Sequence, residues 1–210
     1  MNTVEQSFRR YRRAAQALHL PIIEAWLEME VWDKDGKVIH RSRQRAHSWL
    51  RNGYNWLFSK LGSMNGDDAL FEGGKLNWKD TGGTIRYEAY PLGLYSTYNA
   101  YSSGQGYRGA SGCDVRGILV GSSTTSFSFE QYGLTTKIAN GTGAGQLSYV
   151  LGEAPALTWT AGTLPLSVDW VRYFNNNSGA GIGVNEVGLV VLGNIGGNAY
   201  NVMVARDVLG

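Results

Sequence analysis

The residues of this 210-residue sequence that invite a chemical reading are few, and each is weighed against a plainer one. Asp169 and Glu186 are candidates for the carboxylate pair of a glycosidase, which needs an acid and a base or nucleophile at a set separation. Each falls on a predicted strand, and nothing in the spacing fixes their distance. Glu186 and Arg206 fall on the last two strands of a predicted meander, where a cross-strand charge pair is the better reading. Gly141-Thr142-Gly143-Ala144-Gly145 has the look of a phosphate-cradling loop. A dinucleotide fingerprint needs a helix after the glycines and a downstream acid, whereas strand-like Leu147–Leu151 follows here and the Walker lysine is missing, so the stretch reads as a turn. His47 and Ser48 lack an acid partner at useful spacing, and Ser48 reads more simply as a helix N-cap.

Metal and redox chemistry are equally thin. A single cysteine, Cys113, excludes an internal disulfide framework and any Cys-rich zinc site. His19, His40 and His47 are too scattered for a metal motif. Asn140-Gly-Thr142 and Asn176-Asn-Ser178 match the glycosylation pattern, which matters only in a secreted eukaryotic protein. No acid, base and nucleophile assemble into a catalytic set. The sequence reads as a non-enzyme with no cofactor and no metal.

Charge and composition carry more. Residues 1–60 hold 11 Lys/Arg and 6 Asp/Glu, net +5, while residues 61–210 hold 8 and 11, net −3. A basic end joined to a mildly acidic body can make self-complementary contacts between subunits. The 29 glycines amount to about twice the average usage of about 7%, and all but Gly36 and Gly53 follow residue 60. They lack the strict repeat of collagen, and 43% hydrophobic residues is too apolar for a disordered linker. No stretch approaches the ~18 apolar residues of a membrane span. The basic N-terminus has no apolar run behind it and does not read as a secretory signal.

The elements that must position these residues follow from periodicity. Residues 4–18 read as a helix with Phe8, Tyr11, Ala15 and Leu18 on one face and Arg9, Arg10, Arg12 and Arg13 on the other. Residues 1–20 are thus a basic helical arm, and residues 21–210 a single β-rich domain. Within that domain, 22–42 is a hairpin turning at Asp33-Lys34-Asp35-Gly36, with Trp26 and Trp32 on one face and Leu27 to Val31 on the other. Both faces are apolar, as in a strand covered on both sides. Residues 43–61 form a helix that must absorb Gly53 at about 1 kcal/mol. Residues 62–116 are a Tyr/Gly-rich insertion; its Tyr, Ser and Gly mixture is that of an adaptable contact surface, so it reads as a contact loop rather than a disordered one. From 117 to 210 come short strands at Ile118–Val120, Leu134–Ile138, Gln146–Leu151, Ala156–Thr160, Leu166–Phe174, Ile182–Leu192 and Tyr200–Val208. Trp170, on the fifth, is expected in the core, with a truncation cost of about 3–5 kcal/mol. The fold class is mainly β, an antiparallel sandwich or barrel-like body with a basic N-terminal helix, a hairpin and one further helix packed on it.

Several stretches resemble structural proteins of tailed bacteriophages. They are Gly117–Thr125, Tyr132–Ile138 leading into Asn140–Tyr149, Val171–Gly179, Val184–Leu189 and Val204–Leu209, joined by an opening hairpin and the segment Ser48–Leu57. The resemblance implies a virion subunit, of the capsid surface or the tail, assembled in the host cytoplasm from many copies. Its expected partners are further copies of the chain and other virion proteins. The candidate subunit contacts are Arg9, Arg10, Arg12 and Arg13 in the arm, with Tyr95, Tyr98 and Tyr101 in the insertion. The alternative is a receptor-binding β-sandwich module of a tail fibre or adhesin, with a host-surface glycan as partner and Trp159 among its platforms. Neither a membrane nor nucleic acid is expected as a partner. Four arginines with only Tyr11 among them lack the interleaved stacking aromatics of a nucleic-acid site.

Overall fold

A computed structural model describes residues 3–18, 22–46, 49–61, 77–87, 93–94, 107–158, 167–195 and 198–209. Helix α1 (Thr3–Ala17) leads into strands β1 (Ala25–Trp32) and β2 (Val38–Ala46), and helix α2 (Arg51–Leu61) follows. The rest is strand and turn: β3 (Asn77–Lys79), β4 (Ile85–Tyr87), β5 (Gly93–Leu94), β6 (Gly117–Gly121), β7 (Ser148–Tyr149), β8 (Ala156–Thr158), β9 (Ser167–Asp169), β10 (Phe174–Asn175), β11 (Glu186–Ile195) and β12 (Asn198–Val208). The fold is mainly β, the paired strands are antiparallel, and among the described residues no sheet closes into a barrel. The chain divides into two compact units, Met1–His47 and Ser48–Gly210, so the hairpin groups with the first helix, later in the chain than the boundary expected at residue 20.

In the first unit the Asp-Gly turn forms as expected. Asp33 Oδ1 accepts the N–H groups of Asp35 and Lys37, both at 2.9 Å, and Gly36 takes the left-handed φ of 78°. β1 and β2 pair from Ala25↔Ala46 to Val31↔His40, with an irregularity before Trp32. They make a two-stranded sheet, and neither strand has a further strand beside it among the described residues. Ala15 is the one buried residue described in this unit, whereas Tyr11, Leu18, Trp26, Trp32 and Ile39 are all exposed. Among the described residues the two-sided covering expected for β1 is therefore not found, and Trp26 and Trp32 remain about half exposed.

The second unit is built on β11 and β12. β12 pairs along one edge of β11, and β6 and β5 share the other. Strand alternation sends Val190 and Met203 into one core with Leu50, Leu119, Val120, Ile138, Leu147 and Tyr149. It sends Val191, Val202 and Val204 to a second core around Trp78. A sheet buried on both faces is what the unbroken apolar run in 189–192 requires.

Helix α2 is fastened to this sheet through amides. Asn52 Nδ2 donates to the carbonyls of Lys79 and Met203, at 2.9 and 3.0 Å, and Asn52 Oδ1 accepts the Lys79 N–H at 2.9 Å. Asn55 Nδ2 donates to Asn77 O at 2.7 Å. Gly53 is required by this approach: a Cβ there would lie 2.6 Å from Val204 O and 2.7 Å from the Trp49 ring.

Several expected bounds change: residues 43–46 end β2 instead of beginning the second helix, and β11 begins at Glu186, not at Ile182. Residues 134–138 form no strand and contribute a single bridge, Lys137 to Gly121. Residues 146–151 shorten to β7. Residues 166–174 break into β9 and β10, because the chain leaves the sheet after Asp169 and turns Arg172 inward. Once the strand breaks, period-two alternation no longer assigns faces. Trp170 is consequently not in the core; it is 39% exposed and stacks on Tyr107, with ring centroids 5.0 Å apart.

Candidate functional site

The arm arginines stand on α1 with the exposure expected of them. Arg9, Arg10, Arg12 and Arg13 are all exposed, and Arg12 Nε lies 3.5 Å from Glu24 Oε1. Glu24 is shared: Arg45 Nη1 meets its other oxygen at 2.9 Å. The Arg45 guanidinium sits between two rings, with Cζ 3.7 Å from the Phe8 centroid and 4.6 Å from that of Trp26. Contacts of this kind contribute about 0.5–2 kcal/mol each, and they tie the helix to the base of the hairpin. Tyr95, Tyr98 and Tyr101 lie outside the described residues, as do His19, His47, Ser48 and Trp159.

Sequence reasoning missed the pattern further along the hairpin. Glu28 stands opposite Arg43 and Glu30 opposite Arg41, with ion pairs of 2.8 and 2.6 Å. Directly opposite residues share a face of the sheet, and Arg43 also covers Trp26 at 4.4 Å. β1 thus displays carboxylates and β2 guanidiniums along the same face. Counting outward from the Asp33–Gly36 turn would set 28 and 30 across from 41 and 39; Trp32 instead pairs Val38, and the irregularity before it shifts the register again, which hid the pairing in the sequence.

Inside the second unit two buried charges are committed to one another. Glu186 and Arg206 are both wholly buried, paired at 2.7 Å, and confirm the cross-strand reading. Glu186 also accepts the N–H groups of Thr135 and Thr136, at 3.1 and 2.7 Å. Arg206 donates further to Gln131 Oε1 and Thr125 O. The pair clamps the segment 122–136 to the sheet. Gly121 is needed beside it, since a Cβ there would strike the Glu186 side chain. Asp169 is exposed on β9, so the two carboxylates do not form a glycosidase pair. The Gly141–Gly145 stretch is a turn, closed by Gln146, whose Oε1 accepts the Gly143 N–H at 2.9 Å.

Arg172 is buried, with no ion pair of its own among the described residues. Its guanidinium donates to the carbonyls of Val150, Arg116, Ile118, Ala110 and Cys113 at 2.6–3.0 Å, and stacks 4.8 Å from the Tyr149 ring. Burial lowers its pKa from the ordinary guanidinium value. Burial pushes the Tyr149 hydroxyl up to about 12, where it stays a donor to Ile138 O at 2.7 Å.

Beside Arg172 lies a small cleft lined by Tyr107, Arg108, Gly152, Glu153, Pro155 and Trp170. The cleft is open to solvent, and its volume of about 10 Å³ has room for about one water. What it offers is its rim, the stacked Trp170–Tyr107 pair. Among the described residues no three of His, Cys, Asp and Glu gather as a metal-ligand set, and no helix is long and apolar enough to cross a membrane. Comparison with protein-family models, with curated proteins and with solved structures gives no match.

Proposed function

We propose that this chain is a non-enzymatic structural subunit of a phage particle, assembling in many copies as a capsid or tail component. The observation that carries the reading is the first unit. A 47-residue helix and hairpin with one buried residue described is far short of the core a domain of this size needs. Its exposed Tyr11, Trp26, Trp32 and Ile39 are the side chains that interfaces use as anchors. Such a unit gains its order from neighbours. The segments resembling phage proteins support the reading too: Gly117–Thr125, Val184–Leu189 and Val204–Leu209 contain β6 and the paired ends of β11 and β12. Negative-stain microscopy and sedimentation of the purified chain test it. Rings, tubes or sheets are expected, and a strict monomer at every concentration rejects the proposal.

A second reading, a glycan-binding module, is favoured by the exposed Trp170, which stacks on the partly buried Tyr107 with Arg108 and Glu153 nearby. It requires a glycan-array signal that Trp170→Ala abolishes.

A further inference from the structure

We infer that the β1–β2 hairpin joins copies of this chain head to tail, β1 of one copy adding to β2 of the next in a continuous antiparallel sheet. The inference rests on the proposed assembly and names its contact. Each strand of the hairpin has one side with no strand against it among the described residues, and an open edge is a template for pairing. Near the turn the edges carry opposite charge. Glu28 and Glu30 mark the β1 side, and Arg41 and Arg43 the β2 side; Glu28, Arg41 and Arg43 are 60–68% exposed. The helix contacts at Glu24 and Arg45 lie at the other end of the hairpin, which leaves residues 28–30 and 41–43 clear of them.

The charges choose among the possible pairings. Joining β1 to β1 sets Glu28 and Glu30 against the same carboxylates, and joining β2 to β2 sets Arg41 and Arg43 against guanidiniums. Like charges directly opposite are destabilising in a sheet. Joining β1 to β2 instead places each carboxylate between two guanidiniums, one from its own hairpin and one from the neighbour. Copies related by a rotation about an axis along the strands, or by a translation, carry their hairpins in the same sense, so β1 meets β2 antiparallel, as within the hairpin. The contact uses two different surfaces. It therefore closes into a ring if the rotation closes and grows as a filament if it does not.

Charge exchange in the full chain tests this. Glu28→Arg with Glu30→Arg makes both edges basic, and Arg41→Glu with Arg43→Glu makes both acidic. Each protein alone is expected to sediment as a monomer, and an equimolar mixture to assemble. The fourfold exchange, which restores pairs within and between hairpins, is expected to assemble alone. Wild-type association should weaken at least about tenfold from low to high salt. Circular dichroism confirms that each variant is folded. A mixture that fails to assemble, assembly by either exchanged protein alone, or a wild-type particle limited to a two-fold dimer overturns the head-to-tail contact and leaves multi-copy assembly standing. A wild type that never associates overturns both.

Discussion

Buried charge in this protein is handled by two different devices, and single substitutions separate them. Glu186 and Arg206 neutralise one another, so removing one partner leaves the other charged and stranded. Glu186→Gln is expected to cost about 3–5 kcal/mol, read as a lower urea midpoint with the slope unchanged. Exchanging the pair for Leu and Met should recover only part of this, because the Thr135 and Thr136 N–H groups lose their acceptor. Arg172 relies on geometry instead: a planar fork reaches five carbonyls that three ammonium donors cannot serve together. Arg172→Lys should therefore cost about 2–3 kcal/mol despite keeping the charge. Asp80 supplies a pH signature. Burial pushes its carboxyl up, but the Thr84 N–H, the Arg86 guanidinium 2.8 Å away and the Gly82 N–H outweigh it, and the pKa falls below the ordinary 3.8. Its stabilising contribution is fully present above that value and is lost as pH falls through the lower folded pKa. Asp80→Asn should lower stability at neutral pH by about 1–2 kcal/mol and flatten the acid limb of the unfolding curve.

At the scale of elements, the legible parts were those fixed by local chemistry. The Asp-Gly turn and the helical spacing of 4–18 placed α1, β1 and β2 within a few residues. The Glu186–Arg206 pair was legible because a short connection makes adjacent strands partners. What escaped was set by contacts distant in sequence. Nothing near Arg172 announces that it donates to Arg116 and Ala110, 56 and 62 positions away. Nothing near Trp170 says that its strand has already ended. Glycine misled in the same way. Gly112, Gly145 and Gly179 occupy left-handed turns, but Gly53 and Gly121 are places where another atom needs the room of a Cβ. Gly53→Ala, which propensity alone rates as a gain of about 1 kcal/mol, is expected to destabilise by about 1–3 kcal/mol through overpacking. Thermal unfolding decides the sign.

For the whole molecule, the division after His47 predicts that the two units separate functionally. A chain beginning at Ser48 should unfold cooperatively near the wild-type midpoint yet no longer assemble, which calorimetry and sedimentation check together. The amide that fastens α2 to the body has a consequence in time. Asn52 and its acceptor Met203 are 151 positions apart. At roughly 5–20 residues per second of synthesis, the helix waits on the order of 10–30 seconds for the strand that completes its berth. The hairpin, closed by contacts between near neighbours, forms within about 10 microseconds of emerging. If the chain assembles as proposed, hairpins of successive nascent chains on one messenger RNA would be presented to one another before their bodies have folded.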